Sequence, residues 1–191
     1  MKTGLFFGSF NPIHTGHMIL AEYMAEYAGL SEVWFVVSPR NPLKEKNSLL
    51  ADYHRLAMVN IAVEDDPRLK SCNIEFKMPQ PSYTIDTLTY LSEKYPDKKF
   101  ILIGGMDILH SFHKWKNYKE LLHQYEIYIY NRPNYEPGEY KDHPGIKFFN
   151  APLMEISASF IRESIQNKKD IRHMLPHRVY EYIREMHFYE K

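Results

Sequence analysis

The sequence predicts an α/β fold: a doubly wound, Rossmann-like parallel sheet with a small C-terminal helical region at about residues 152–191. Short apolar runs alternate with segments whose apolar residues recur at helical spacing, which is typical of βαβ units. The unusual sequences all follow such runs, at residues 8–17, 38–44, 104–107 and 131–132. Ligands of doubly wound sheets bind beyond the carboxyl ends of the strands, so these stretches are candidates for one site. The length of 191 residues fits a single domain over residues 1–191.

The chain is predicted to begin with a strand, a helix and a second strand. Leu5-Phe6-Phe7 is a short apolar run, and Val33–Val37 is a continuous one of the kind that both faces of a parallel sheet cover. Between them, residues 15–28 read as a helix that Gly29 closes. Its apolar face carries Met18, Ala21, Met24, Ala25 and Ala28.

The remaining elements alternate in the same way. A helix from about Asp52 is predicted to turn Tyr53, Leu56, Ala57 and Ile61 towards the core. Residues 131–145, rich in Pro, Gly, Asn and Tyr, read as a long loop. The other predicted strands cover residues 71–77, 99–103, 126–130 and 146–149, and the other predicted helices cover residues 84–95, 158–166 and 176–187.

Composition limits the classes of function. The 24 basic residues balance the 24 acidic ones, so the chain lacks the overall field that would attract nucleic acid. Cys72 is the only cysteine, which rules out an intramolecular disulfide and fits a reducing cytoplasm. No apolar run approaches the roughly 20 residues that span a bilayer. We therefore expect a cytoplasmic protein with no membrane or nucleic-acid partner, and the sequence leaves the oligomeric state open, a homo-oligomer included.

Residues 8–17, GSFNPIHTGH, form the stretch around which the chain is organised, and we call them the histidine turn. They lie between the first strand and the first helix. Gly8 and Gly16 allow a close approach of backbone to a ligand. If Thr15 caps the helix, free N–H groups and the positive end of the helix dipole favour a phosphate there. His14 and His17 add side-chain donors at the same place.

The histidine turn resembles the HxGH motif of a nucleotidyltransferase superfamily, with Gly8, Phe10 and Pro12 in register. The resemblance implies that His14 and His17 contact the phosphates of ATP, in a site that Gly8, Ser9, Phe10 and Gly16 help to line. Ser9 and Asn11 depart from the family pattern, which more often has Gly or Thr and Asp. Asn11 lacks the charge of Asp but can still form hydrogen bonds within the turn.

Two further segments match this superfamily. Residues 156–162, ISASFIR, resemble its second motif, I-S-x-S-x-I-R. The resemblance implies that Ser159, as a helix cap, and Arg162 together hold the β- and γ-phosphates. Gly104-Gly105-Met106-Asp107 follows a predicted strand, and the resemblance gives Gly104 close contact with the nucleotide and Asp107 the ribose hydroxyls.

Three segments resemble one branch, the nicotinate mononucleotide adenylyltransferases. They are the Ser38–Lys44 loop, the Tyr83–Leu88 segment and His113-Lys114-Trp115. The resemblance implies that Lys44, Thr84 and Trp115 bind the pyridine nucleotide. Trp115 would stack on the ring, while nearby backbone N–H groups would receive the nicotinate carboxylate.

The branch implies transfer of the adenylyl group of ATP to nicotinate mononucleotide, with release of pyrophosphate and no covalent enzyme intermediate. Mg²⁺ is expected with ATP, carried by phosphates and water, and no protein metal site is expected. The alternatives are nicotinamide mononucleotide or phosphopantetheine as acceptor, or a non-catalytic nucleotide sensor. The intact HxGH motif and Arg162 argue against a sensor, and His14 argues against phosphopantetheine, because the enzymes that use it usually lack this first histidine.

Overall fold

A computed structural model describes residues 1–39 and 49–191. Six strands form one sheet in the order β3-β2-β1-β4-β5-β6, and every neighbouring pair is parallel. The strands are β1 (Lys2–Gly8), β2 (Glu32–Val37), β3 (Leu69–Cys72), β4 (Lys99–Gly105), β5 (Glu126–Tyr130) and β6 (Ile146–Phe149). The order reverses between β1 and β4, which is the topological switch point of a doubly wound sheet. The predicted fold class is confirmed.

Helices cover both faces of this sheet. They are α1 (Thr15–Tyr27), α2 (Asp52–Val63), α3 (Thr84–Lys94), α4 (Asp107–Ser111), α5 (Tyr118–Gln124), α6 (Ala158–Gln166) and α7 (His177–Glu185). Within the described ranges, none of them has the length and apolar character needed to cross a bilayer.

Successive residues of each central strand pack on opposite faces. Leu5 of β1 is fully buried in the cluster beneath α3 and α5, whereas Phe6 lies in the cluster beneath α1, α2 and α7. Register explains this division, since Phe6 pairs with Phe35 of β2 and Ile103 of β4. Because both clusters are apolar, these strands read as continuous apolar runs rather than as alternating ones.

The predicted inner face of α2 was correct only in part. Leu56 and Ile61 pack against the core as partly buried residues, but Tyr53 is 66% exposed. The buried face instead carries Met58, Val59, Val63 and a charged residue, Arg55. Apolar side chains alone predict a face that differs from the observed one, because Arg55 occupies an inward position through hydrogen bonds rather than through apolar packing.

Other boundaries also needed correction. The strand predicted over residues 71–77 is β3, which ends at Cys72, and Ile74–Lys77 forms a 3₁₀ helix. The 71–77 prediction merged the two, because both are four-residue segments in which apolar and polar residues are mixed. Helices α4 and α5 were not predicted, and the predicted loop at 131–145 contains a 3₁₀ turn, Gly138–Tyr140. Most of the Ser38–Lys44 loop, Lys44 included, lies outside the described residues.

Candidate active site

The histidine turn leaves β1 at the switch point and leads into α1. His14, not Thr15, is the N-cap of α1, so the expected cap was wrong by one residue. His14 has extended backbone angles, and its carbonyl accepts the N–H of His17 at 2.9 Å. Its own N–H donates to Nδ1 of His17 at 3.2 Å. These reciprocal bonds bring the two imidazole rings into a stack with centroids 3.7 Å apart.

The two rings differ in surroundings. His14 is 5% exposed, and burial, followed by the nearby Arg132 charge, lowers the pKa of His14 to about 4. It is therefore neutral at pH 7. The ring of His17 packs against the edges of Phe6 and Phe10, at 5.9 and 5.2 Å. Because Nδ1 of His17 accepts a hydrogen bond, the neutral ring carries its proton on Nε2.

The glycines of the turn make room for neighbouring side chains. A Cβ at Gly8 would lie 2.8 Å from the ring of Phe10, and one at Gly16 would lie 3.1 Å from Nδ1 of His14. Phe10 itself has a left-handed φ of 45° and is 2% exposed. The turn thus holds its shape through a buried phenyl ring, and Gly16 lets His14 lie flat against the start of α1.

Helix α6 brings the second motif to this turn. Ser157, not Ser159, caps α6 by accepting the N–H of Phe160 at 3.1 Å, so the expected cap was wrong. Ser159 instead accepts a bond of 3.3 Å from Nη2 of Arg162. Nη1 of Arg162 donates to the carbonyl of Asn11 at 2.8 Å. The fold therefore joins Arg162 to the histidine turn across 151 positions of sequence.

The end of β4 supplies the third candidate group. Asp107 opens α4, and its Oδ1 lies 3.4 Å from Nε of Arg132. Within the described part of the chain, this Oδ1 is buried without a hydrogen-bond partner. A Cβ at Gly104 would collide with Ile108, and one at Gly105 would collide with the Asp107 carboxylate. The two glycines therefore let α4 start directly against the strand.

Arg132 was missed as a functional residue, although residues 131–132 stood out in the sequence. Its Nη2 donates to the hydroxyl of Tyr130 at 3.2 Å, and the guanidinium lies 5.3 Å from the centre of the same ring. Arg132 also lines a cavity of about 290 Å³, together with the segment from Pro152 to Ser157. This cavity lies at the same end of the sheet as Asp107 and α6.

Arg55 was also missed, and no apolar pattern could have found it. Its side chain has no exposed surface, yet it donates hydrogen bonds to three separate segments. Nη1 reaches the carbonyls of Ser9 at 2.5 Å and Ser38 at 2.8 Å. The other bonds reach the Leu50 and Pro39 carbonyls at 3.0 and 3.1 Å and the Asp52 carboxylate at 2.5 Å. Arg55 therefore fixes the histidine turn to the end of β2.

Thr84 and Trp115 lie on two segments that an ion pair joins. Thr84 is the first residue of α3, and Trp115 follows a 3₁₀ turn with its half-buried ring 5.1 Å from Phe112. Lys116 bonds to Asp86 at 2.7 Å, and its ammonium lies 4.7 Å from the Tyr83 ring. This arrangement brings the start of α3 and the Trp115 loop together.

A buried carboxylate supports the start of α3. Glu75 is 3% exposed and accepts bonds from the hydroxyls of Ser82 at 2.9 Å and Thr87 at 2.8 Å. These partners lie on either side of Thr84. Sequence reasoning missed Glu75, because an acidic residue in a predicted strand has no distinguishing pattern.

Over residues 1–39 and 49–191, no group of three or more His, Cys, Asp or Glu side chains has the geometry to hold a metal ion. The polar groups of the site are mostly hydrogen-bond donors: two imidazoles, two guanidiniums and the N–H groups of α1. Such a set suits phosphate oxygens rather than a cation.

The fold and the site together define a class, that of doubly wound α/β proteins with a donor-rich turn at the switch point. Within this class, the chain belongs to the cytidylyltransferase-like family, whose model matches residues 5–164. The matched range runs from β1 through most of α6. It therefore includes both the histidine turn and Arg162.

Relatives are similar over the whole chain. A protein of Flavobacterium psychrophilum, described as "probable nicotinate-nucleotide adenylyltransferase", is 52% identical and covers 100% of both chains. A protein of Cytophaga hutchinsonii with the same description is 47% identical over 99% of this chain and 98% of its own.

Among solved structures, the fold matches that of Plasmodium falciparum nicotinic acid mononucleotide adenylyltransferase complexed with NaAD. The TM-score is 0.82 at 20% identity, over 99% of this chain and 97% of the other. At this identity the likeness concerns the fold.

Proposed function

We propose that this chain transfers the adenylyl group of ATP to nicotinate mononucleotide, giving nicotinate adenine dinucleotide and pyrophosphate. The observation that carries the proposal is the meeting of His14, His17 and Arg162 at the switch point. The names of the relatives over the full chain support the same reaction.

The reaction is an in-line displacement at phosphorus. A phosphate oxygen of nicotinate mononucleotide forms a new bond to the α-phosphorus of ATP. The bond from that phosphorus to the bridging oxygen of the β-phosphate breaks, and pyrophosphate takes the electron pair. Little covalent chemistry falls to the protein, so catalysis consists of positioning and of stabilising the developing charge.

His17 is the first candidate for that stabilisation. Since Nδ1 of His17 accepts the N–H of His14, His17 would donate from Nε2 to an α-phosphate oxygen. His14, neutral because of its burial, would donate as an imidazole without adding charge to the turn. Arg162, which already contacts the carbonyl of Asn11, would hold the departing pyrophosphate oxygens with its planar fork.

The nucleoside of ATP would lie between β4 and α6. We assign the ribose hydroxyls to Asp107, whose buried Oδ1 has the acceptor capacity for them. Gly104 would let the nucleotide approach the strand end closely. The cavity between Arg132 and the Pro152–Ser157 segment has room for the adenine ring. Ser9 and Phe10 would line the triphosphate side.

The acceptor would bind between α3 and the Trp115 loop. Trp115 stacks on the pyridine ring in this proposal, and Thr84 with nearby backbone N–H groups receives the carboxylate. Lys44 stays a prediction for the same nucleotide, since it lies outside the described residues. An amide presents its own N–H to one of those donors and leaves it unpaired, so nicotinate should be preferred over nicotinamide.

Mg²⁺ is proposed to arrive with ATP, bound to phosphates and water. The described residues lack a cluster of ligands for it, and a cation that needs octahedral geometry and keeps several waters does not require one. Its contribution would be to neutralise phosphate charge, while the residues above do the positioning.

One experiment tests the function against its alternatives. Pyrophosphate release from ATP is measured with nicotinate mononucleotide, nicotinamide mononucleotide and phosphopantetheine as acceptors. We expect the highest kcat/KM with nicotinate mononucleotide. ATP binding without release for any acceptor would support a nucleotide sensor instead, and release with phosphopantetheine alone would contradict the acceptor assignment.

A further inference from the structure

The last residues of the chain return to the histidine turn. After α7 ends, His187 and Tyr189 adopt left-handed φ values of 53° and 66°. The N–H of Phe188 donates to the carbonyl of Ile183 at 3.1 Å, and its ring packs 4.5 Å from that of His54. The residues that follow α7, which we call the tail, are thus held against α2. From there the tail runs back towards β1.

At the end of this path, Tyr189 contacts the turn directly. Its hydroxyl donates to Oδ1 of Asn11 at 2.8 Å, across 178 positions of sequence. The same Oδ1 accepts the N–H of Leu50 at 3.3 Å. Burial raises the pKa of the Tyr189 phenol well above its usual range, so the hydroxyl remains protonated and stays a donor.

Asn11 is held from a second direction by Arg162. The guanidinium bonds to the main-chain carbonyl of Asn11, whereas Tyr189 bonds to the side-chain carbonyl. The side-chain bond limits rotation of the Asn11 amide and of the peptide that carries the carbonyl. That peptide fixes one Nη atom of Arg162.

We infer that Tyr189 is a positioning residue for ATP, which acts through Asn11 on the location of Arg162 and of the histidine turn. The inference rests on the proposed ATP site. The inference goes beyond that site, because it assigns a role to a C-terminal residue that lies outside both motifs and outside the range that matches the family model.

A purely structural role for the tail makes a different prediction. In that case any buried tyrosine hydroxyl of this region would contribute to stability alone. Tyr182 offers the matched control. It lies in α7, and its hydroxyl bonds to His54 at 3.0 Å rather than to the histidine turn. Tyr189→Phe and Tyr182→Phe each remove one hydroxyl and keep the ring.

The test compares ATP binding by calorimetry and steady-state kinetics for wild type and both variants. We expect Tyr189→Phe to weaken ATP binding roughly threefold to tenfold, the range of one neutral hydrogen bond, and to leave the KM for the acceptor unchanged. Tyr182→Phe should bind ATP like wild type, while the Tm values of the two variants fall to a similar extent. Equal ATP affinity in all three proteins would overturn the inference.

A double-mutant cycle tests the route through Asn11. If Tyr189 acts through that side chain, Tyr189→Phe should cost nothing further in an Asn11→Ala background. If the losses of ATP affinity in the two single variants add fully in the double variant, Tyr189 does not act through Asn11. Calorimetry keeps this result separate from the proposed reaction: a wild type that binds ATP but releases no pyrophosphate refutes the reaction and still measures the effect of Tyr189.

Discussion

The polar and charged side chains at the two ends of the sheet differ in how completely they are paired. At the amino end, Glu126 lies among Lys99, Lys147 and Lys2, at 2.5, 3.2 and 3.8 Å. Glu32 likewise accepts bonds from Lys70 at 2.5 Å and Lys98 at 2.8 Å. Each of these carboxylates has at least two lysine partners.

At the carboxyl end, polar atoms are left over. Of the four buried side-chain atoms that lack a hydrogen-bond partner in the described ranges, three lie there: His14 Nδ1, Asp107 Oδ1 and Asn131 Oδ1. The fourth is the hydroxyl of Thr3, inside β1. An unpaired buried polar group costs free energy, so native proteins keep few of them. Among the residues that the structure describes, the two carboxylates at the amino end are paired with lysines and one neutral hydroxyl, that of Thr3, lacks a partner, whereas the carboxyl end holds three unpartnered polar atoms that a polar ligand would complete.

The largest effect should follow from removing a donor at the carboxyl end. We expect His17→Ala to remain folded and to lose roughly a hundredfold to a thousandfold in kcat, as when an oxyanion donor is lost. Steady-state pyrophosphate release, with circular dichroism as the folding check, measures this. Near-wild-type turnover in a folded variant would remove His17 from the chemical step.

A smaller effect is expected from Arg162→Lys. Lysine keeps the charge but cannot contact the Asn11 carbonyl, Ser159 and two phosphate oxygens with one planar group. We expect kcat/KM for ATP to fall roughly tenfold to a hundredfold, with the acceptor KM little changed. If the acceptor KM rises and ATP kinetics stay normal, the triphosphate has been placed at the wrong end of the site.

The acceptor side should show a preference of at least roughly tenfold for nicotinate over nicotinamide mononucleotide, because one buried donor would stay unpaired with the amide. Trp115→Ala should weaken both acceptors and leave their ratio nearly constant, since an indole stacks on either ring. The ratio of kcat/KM values checks this. A ratio that collapses in the variant would assign the choice to Trp115 rather than to backbone donors.

The smallest effect concerns the amino end, where stability but not activity should change. The Lys99 hydrogen bond, assisted by Lys147, lowers the pKa of Glu126 from its usual 4.5 to about 2. A depressed carboxyl pKa contributes stability above the unfolded-state value, and that contribution is lost as the pH falls from about 4.5 towards 2.

We therefore expect Glu126→Gln to lower the free energy of unfolding by about 1 kcal/mol at pH 7, a value reduced for solvent screening. The difference from wild type should shrink as the pH falls below 4.5. Urea unfolding at several pH values measures it, and kcat should not change. A loss of activity in this variant would contradict the division between the two ends.

The sequence was most informative where apolar side chains decide the structure. Apolar runs, alternating with segments whose apolar residues recur at helical spacing, were enough to predict the parallel sheet and the main helices. They also predicted the edge of the sheet at which the unusual sequences meet. They placed the inner face of α2 only in part, because Arg55 takes a buried position through bonds to main-chain carbonyls. Those carbonyls belong to segments that come together only in the fold, so no local pattern reports them.

The same limit applies to the candidate site. His14, His17 and Arg162 were found through motif spacing, and the structure brings all three to one turn. Both helix caps were assigned one or two residues from their observed positions, since several neighbouring Ser, Thr and His residues could serve. Tyr189 had no signal at all, because its partner is 178 positions away.

The bond between Arg162 and Asn11 has a consequence for how the protein is made. The histidine turn leaves the ribosome early, within the first strand and helix, but its guanidinium partner is synthesised 151 residues later. A chain that terminates before α6 therefore lacks the group that is proposed to hold pyrophosphate. In the proposed mechanism, efficient turnover of ATP then requires that translation has passed through α6.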